Sequence, residues 1–171
     1  DRGQFVLSCD GDLILRLWDV TARAEVVRSV GHLPGLPLAI SADGRLTPWT
    51  TPEATLVESP RVGVKASPET ELIDRAPHHR ALLFNIVERR IQFVLSSHTH
   101  EIKALALTAD DRRLASGDSA GVIKLWETTT GDELLSIRAH QNGVRGIAFH
   151  PQGREFSTIG VDSTVRIWPR Q

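Results

Sequence analysis

His140, Thr158 and Asp162 fall within one short stretch of this 171-residue chain, and His98 and Ser116 fall in another. A histidine, a hydroxyl and a carboxylate are the parts of a hydrolase relay, in which imidazole takes the hydroxyl proton and the carboxylate orients the ring. No nucleophile elbow, P-loop or zinc-protease motif accompanies them. The remaining histidines raise metal chemistry: His98 and His100 flank one residue, and His78 and His79 are adjacent. Imidazole is the commonest metal ligand, yet no carboxylate or cysteine framework stands at metal spacing around these rings. No catalytic residue, cofactor or metal is therefore expected. The pairs Arg89-Arg90 and Arg112-Arg113 read as solvated turn residues rather than phosphate contacts.

The spacing of these residues explains them better than catalysis does. His98 precedes Trp126 by 28 residues and His140 precedes Trp168 by 28, so both pairs recur with a period of 42. A fixed period in this range marks a repeat architecture. Within it lie short β-type runs cut by turn residues. In one unit these are Ile102 to Leu107, Ala109-Asp110-Asp111, Leu114-Ala115-Ser116, Ser119-Ala120-Gly121 and Val122 to Trp126. The next unit repeats the order from Val144 to Phe149 through to Thr164–Trp168. Even spacing of short strands and turns is the mark of an all-β chain, and no helical apolar period is present.

One more spacing runs through the chain. Trp18 precedes His32 by 14 residues, Phe84 precedes His98 by 14, and Trp126 precedes His140 by 14. Trp18-Asp19 and Gly31-His32 stand as the two pairs of a known signature, with Phe84-Asn85 in place of Trp-Asp further on. This resembles the WD-repeat (G-beta repeat) family of β-propellers, whose unit is about 40–45 residues and four strands. The resemblance covers nearly the whole chain and implies an all-β, partial propeller of about three and a half blades, open or part of a larger ring.

Bulk properties bound the partners. A net charge of −1 gives no reason to expect nucleic acid or an anionic membrane. No apolar run approaches the roughly 18 residues of a membrane span. Cys9 is the single cysteine, which excludes an internal disulfide and suits a reducing, cytoplasmic setting. Without any methionine, and with too few repeats for a ring, the chain is expected to be a piece of a longer protein. The resemblance places Gln171 at a natural C-terminus and the missing part upstream.

Residues 4–9 and 13–18 read as two strands about the turn Asp10-Gly11-Asp12, with an outer strand at 24–30. These blade remnants fill 1–31. A second blade, 32–97, opens with a strand at 36–41 and a turn at 42–44. From His32 to Phe84 is then 52 residues, 24 more than in the later units. Pro48, Pro52, Pro60, Pro68 and Pro77 argue against continuous sheet here. Residues 50–78 are read as an insertion, with short runs at 55–57 and 62–64, and long loops on a rigid scaffold are where binding often resides. Strands at 81–87 and 91–97 finish that blade. Regular blades follow at 98–139 and 140–171.

Carried over residue by residue, the resemblance implies a buried polar relay of His, Ser or Thr, Asp and Trp. Its physical reason is that an indole, imidazole or hydroxyl buried unpaired costs about 1–3 kcal/mol. The last blade has His140, Thr158, Asp162 and Trp168. The blade before it has His98, Ser116 and Trp126, with Ala120 at the Asp position. The first keeps Ser8, Asp12 and Trp18, and the second keeps His32, with His78 and Phe84 at other places. The fourth blade is thus expected to be the most rigid and the second the least. The resemblance further implies a non-catalytic scaffold whose top-face loops meet protein partners, with Leu33, Pro34, His100, Glu101, Gln141, Asn142, Ser119 and Val161 as candidate contacts. The alternative function is a regulatory or targeting module of a larger enzyme or signalling protein such as a kinase. Open blade edges add the expectation of self-association.

Overall fold

Short runs of apolar or alternating apolar and polar residues, bounded by Gly, Asp, Ser and Thr turns, form the regular elements of the computed structural model. It describes residues 5–9, 15–28, 39–50, 79–88 and 90–169. Among these the elements are thirteen strands in four antiparallel sheets. The first sheet holds β1 (Phe5–Cys9), β2 (Leu15–Asp19) and β3 (Ala24–Arg28). The second holds β4 (Leu46–Thr50), β5 (Ala81–Asn85) and β6 (Arg90–Leu95). The third is four-stranded: β7 (Ile102–Leu107), β8 (Arg113–Asp118), β9 (Val122–Glu127) and β10 (Glu133–Arg138). The fourth holds β11 (Val144–Phe149), β12 (Glu155–Gly160) and β13 (Val165–Pro169). Each sheet is a simple up-and-down meander.

The sheets pack face to face in chain order, and each interface has its own apolar cluster. Leu17 meets Trp49, Leu82 and Ile86 between the first and second sheets. Ala81 and Leu95 meet Ile102, Leu105, Leu114 and Trp126 between the second and third. Ala104, Ala115, Ile123 and Leu125 meet Val144 and Phe156 between the third and fourth. Small residues let these faces approach closely. A Cβ added at Gly117 would stand 2.7 Å from the Val144 side chain.

The inner strand β7 is apolar on both faces apart from the exposed Lys103, as expected of a strand covered on both sides. β11 differs, with Arg145 and Ala148 exposed, because among the described residues nothing covers the outward face of the fourth sheet.

Two sequence expectations are corrected in the second sheet. Pro48 lies inside β4, paired with Leu83, rather than outside the sheet. The amide of Ser41 donates to the Leu46 carbonyl and that of Ile86 to the Arg45 carbonyl. Alternation then aims the backbone of Pro48 away from β5, so the missing N–H removes nothing from that ladder. The strand expected at 36–41 is described only over 39–41. Thr47 donates its hydroxyl to the Ala39 carbonyl at 2.7 Å, but no strand is formed there. The insertion therefore joins β4 to β5, and its segments at 55–57 and 62–64 lie outside the described residues.

Candidate functional site

The third sheet carries a chain of polar side chains through its middle. Ser116 on β8 lies opposite Lys124, two residues before Trp126 on β9. The Trp126 indole donates to Ser116 Oγ at 2.8 Å. Ser116 Oγ is 2.7 Å from His98 Nε2, and His98 Nδ1 is 2.9 Å from Asp118 Oδ2. A carboxylate only accepts, so Nδ1 carries the ring proton and Nε2 accepts from the serine hydroxyl. Every donor and acceptor in the series is used. Asp118 Oδ1 also takes the amides of Ala120 and Val122, at 3.0 and 2.9 Å. Burial works to raise the Asp118 carboxyl, but the His98 ring and the two amides outweigh it, and the group lies below the ordinary carboxylate value.

The expectation that this blade lacks its carboxylate is therefore corrected: Asp118, at the end of β8, supplies it in place of Ala120. The same set in the fourth sheet is built differently. Trp168 donates to Thr158 Oγ1 at 3.0 Å, and Thr158 Oγ1 is 2.8 Å from His140 Nε2. His140 Nδ1 meets Asp162 Oδ1 at 3.0 Å and Thr164 Oγ1 at 3.0 Å. The Thr164 hydroxyl donates to Asp162 and lowers it most. Against a smaller effect of burial, the amides of Gln141 and Thr164 and the His140 ring lower it further, far below the ordinary range.

The first sheet keeps one link, Trp18 Nε1 to Ser8 Oγ at 3.0 Å. Asp12 and His32 lie outside the described residues, as do His78, Leu33 and Pro34. In the second sheet the register puts Trp49 opposite Leu82, two residues before Phe84, which is the hydroxyl's place in the other sheets. Trp49 and Phe84 meet edge to face at 6.0 Å. Phe84 has no N–H to satisfy, so an aromatic pair replaces the polar relay.

Serine, histidine and aspartate thus stand in triad order, but in the wrong surroundings for attack. Ser116 has no exposed surface, and its oxygen already accepts from an indole. A nucleophile must reach a substrate carbonyl, and this one reaches only its own sheet.

The exposed candidates lie where the sheets' loops meet at one end. The Ser119 amide donates to the Glu101 carbonyl, and the Val161 amide to the Gly143 carbonyl. Gly121 closes the contact between the third and fourth sheets, since a Cβ there would stand 2.2 Å from the His140 carbonyl oxygen. His100, Glu101, Ser119, Gln141, Asn142 and Val161 are all exposed along this rim. Glu101 pairs with Lys103 at 2.6 Å.

Antiparallel meanders of three or four strands stacked face to face, two of them with an indole–hydroxyl–imidazole–carboxylate link, are consistent with the blades of a partial β-propeller. The chain carries WD repeats: the family described as WD domain, G-beta repeat matches residues 89–127 and 131–169. Each matched unit begins near the outer strand of one sheet and ends just after the tryptophan or its neighbour in the next, so the sequence unit is offset from the structural blade. The chain is similar to a nuclear distribution protein PAC1 of Arthroderma otae, 27% identical over 97% of this chain and 36% of the relative. It is 34% identical to a polyadenylation factor subunit 2 of Candida albicans over 61% of this chain and 19% of the relative. To WD repeat-containing protein 1 of Gallus gallus it is 24% identical over 97% of this chain and 32% of the relative. The chain spans between about a fifth and about a third of the length of these curated relatives.

Proposed function

We propose that this chain is a non-catalytic scaffold that binds protein partners within the cell through the loop rim of its blades. The observation that carries the reading is a separation of roles. The side chains with catalytic-looking chemistry are buried and paired, whereas the rim residues are exposed on a framework that fixes their backbone. The insertion leaves β4 and re-enters at β5 on the same end of the sheets as the turns at 119–121 and 161–163, which supports counting it with the rim. A targeting module within a larger enzyme or signalling protein is a second reading. The partial coverage of the relatives supports it, and the same rim would serve it.

The test is affinity capture with the full chain against a variant carrying His100, Glu101, Gln141 and Asn142 replaced by alanine. Surface changes of this kind leave stability within about 0.5 kcal/mol, so the melting curve stays in place while capture of the partners is lost. A variant without residues 50–78 separates the insertion from the rim. Unchanged capture by the alanine variant sinks the proposal for these loops.

A further inference from the structure

We propose that Arg145 determines the specificity of the rim and takes the carboxylate of an aspartate or glutamate on a partner protein. The inference rests on the reading of the rim as a protein-binding surface and names the chemistry it selects. Its ground is a comparison of the strands β7 and β11, which the 42-residue period matches. Ile102 and Ala104 pair with the consecutive residues Asp118 and Gly117, so Lys103 is the extra residue of a β-bulge. Val144 and Gly146 pair with Gly160 and Ile159, so Arg145 is the extra residue of a second bulge. A bulge leaves one residue out of the ladder and re-aims its side chain. Each cation also follows by two residues a carbonyl that fixes the rim, Glu101 for Lys103 and Gly143 for Arg145. Lys103 is exposed although its sheet is covered on both faces. Exposure therefore comes with the bulge, and the open face of the fourth sheet only adds to it at Arg145. A neighbour packed there would leave Arg145 open, as the fourth sheet leaves Lys103 open.

The two cations differ in what they already hold. Lys103 has its own counter-ion in Glu101, at 2.6 Å. In the fourth sheet Gly143 stands in the place of Glu101. The turn of the third sheet approaches too closely for a side chain at that position. A Cβ on Gly143 would stand 3.0 Å from the Ser119 carbonyl oxygen and 3.2 Å from its Cα. Among the described residues no carboxylate pairs with Arg145.

A guanidinium keeps its charge at any working pH and presents its donors as a planar fork, which matches a carboxylate with two parallel bonds. Gln141 and Asn142 stand exposed in the loop before it, and their side-chain amides add neutral donors. The open charge is single. Lys103 is matched by Glu101, and the Asp162 carboxylate lies against the Gln141 amide. A doubly charged phosphate would bring its second charge against these like charges, whereas a carboxylate brings one charge to one guanidinium.

The experiment exposes the 171-residue chain to short peptides blocked at both ends. Their central residue is glutamate, glutamine, lysine or phosphoserine, and their flanks are randomised among neutral residues. The parent chain retains glutamate peptides about tenfold over glutamine peptides, and above phosphoserine peptides. Arg145→Gln erases that preference. Arg145→Glu transfers it to the lysine peptides, which also shows that the variant is folded. A glutamate preference that survives Arg145→Gln, equal retention of glutamate and glutamine peptides, a preference for phosphoserine, or no retention at millimolar peptide overturns the assignment. The variant with His100, Glu101, Gln141 and Asn142 replaced by alanine separates this contact from the wider reading. If that variant loses the peptides while Arg145→Gln binds them like the parent, the carboxylate contact alone falls. If it retains them like the parent, the rim falls as a binding surface and the contact falls with it.

Discussion

The third and fourth sheets solve one problem from two backbone positions. Each must give the Nδ1 proton of a buried histidine an acceptor. The third uses Asp118, the last residue of β8, and the fourth uses Asp162, in the turn after β12. With the 42-residue period, Asp118 corresponds to Gly160 and Asp162 to Ala120. The glycine is what makes the exchange work. A Cβ at Gly160 would stand 2.3 Å from both Asp162 Oδ1 and His140 Nδ1, so the turn carboxylate occupies the room that a strand side chain would need. The relay is therefore a constraint on where a charge sits, and two sequences can meet it.

The largest expected effect comes from removing the deeper carboxylate. Asp118 is 1% exposed and holds His98 and the amides of Ala120 and Val122 together. Asp118→Ala leaves three donors without an acceptor, and a loss of about 3 kcal/mol is expected in denaturant unfolding. Asp162→Ala costs less, because water reaches the turn and Thr164 still accepts from His140. Equal losses from the two would break the comparison.

A smaller effect follows at the glycine. Gly160→Ala forces the Asp162 carboxylate off His140 and is expected to cost about 2 kcal/mol by overpacking. Gly160→Asp combined with Asp162→Ala moves the carboxylate to the third sheet's position but leaves the new Cβ against the His140 ring, so it should be less stable than Asp162→Ala alone. A rescue in a thermal melt would show instead that the ring can shift and that the two positions are interchangeable.

The repeat, the strands, the hydroxyl and indole of three sheets and the histidine of two were legible because a constant spacing links them along the chain. Asp118 was not, because it breaks the spacing by two residues while keeping the contact. Trp49 was missed for a related reason. The insertion falls between β4 and β5, so the residue at the hydroxyl's register lies 35 positions before Phe84 in sequence. Pro48 misled because proline was read as excluding a strand, whereas its backbone faces away from the β5 ladder. The expected order of rigidity also changes. The third sheet has a full relay and both faces covered, so its β8 amides rather than those of β12 should exchange most slowly.

The smallest effect is in acid, and its sign follows from the carboxylates. Both Asp118 and Asp162 are held below the ordinary value. A group whose folded pKa is depressed stabilises the fold above its unfolded value, near pH 4, and loses that contribution as pH falls through the folded value. The two should part company on the way down. Burial opposes the hydrogen bonds at Asp118, so its contribution fades first below pH 4. At Asp162 the Thr164 hydroxyl alone outweighs burial, and two amides and the His140 ring add to it, so its contribution persists to more acid pH. Stability measured against pH in urea should then lose slope only just below pH 4 in Asp118→Asn, but from pH 4 down to markedly more acid pH in Asp162→Asn. If both variants lose slope over the same interval, the carboxylates are equivalent in environment as well as in role, and the two sheets differ only in the position of the residue along the chain.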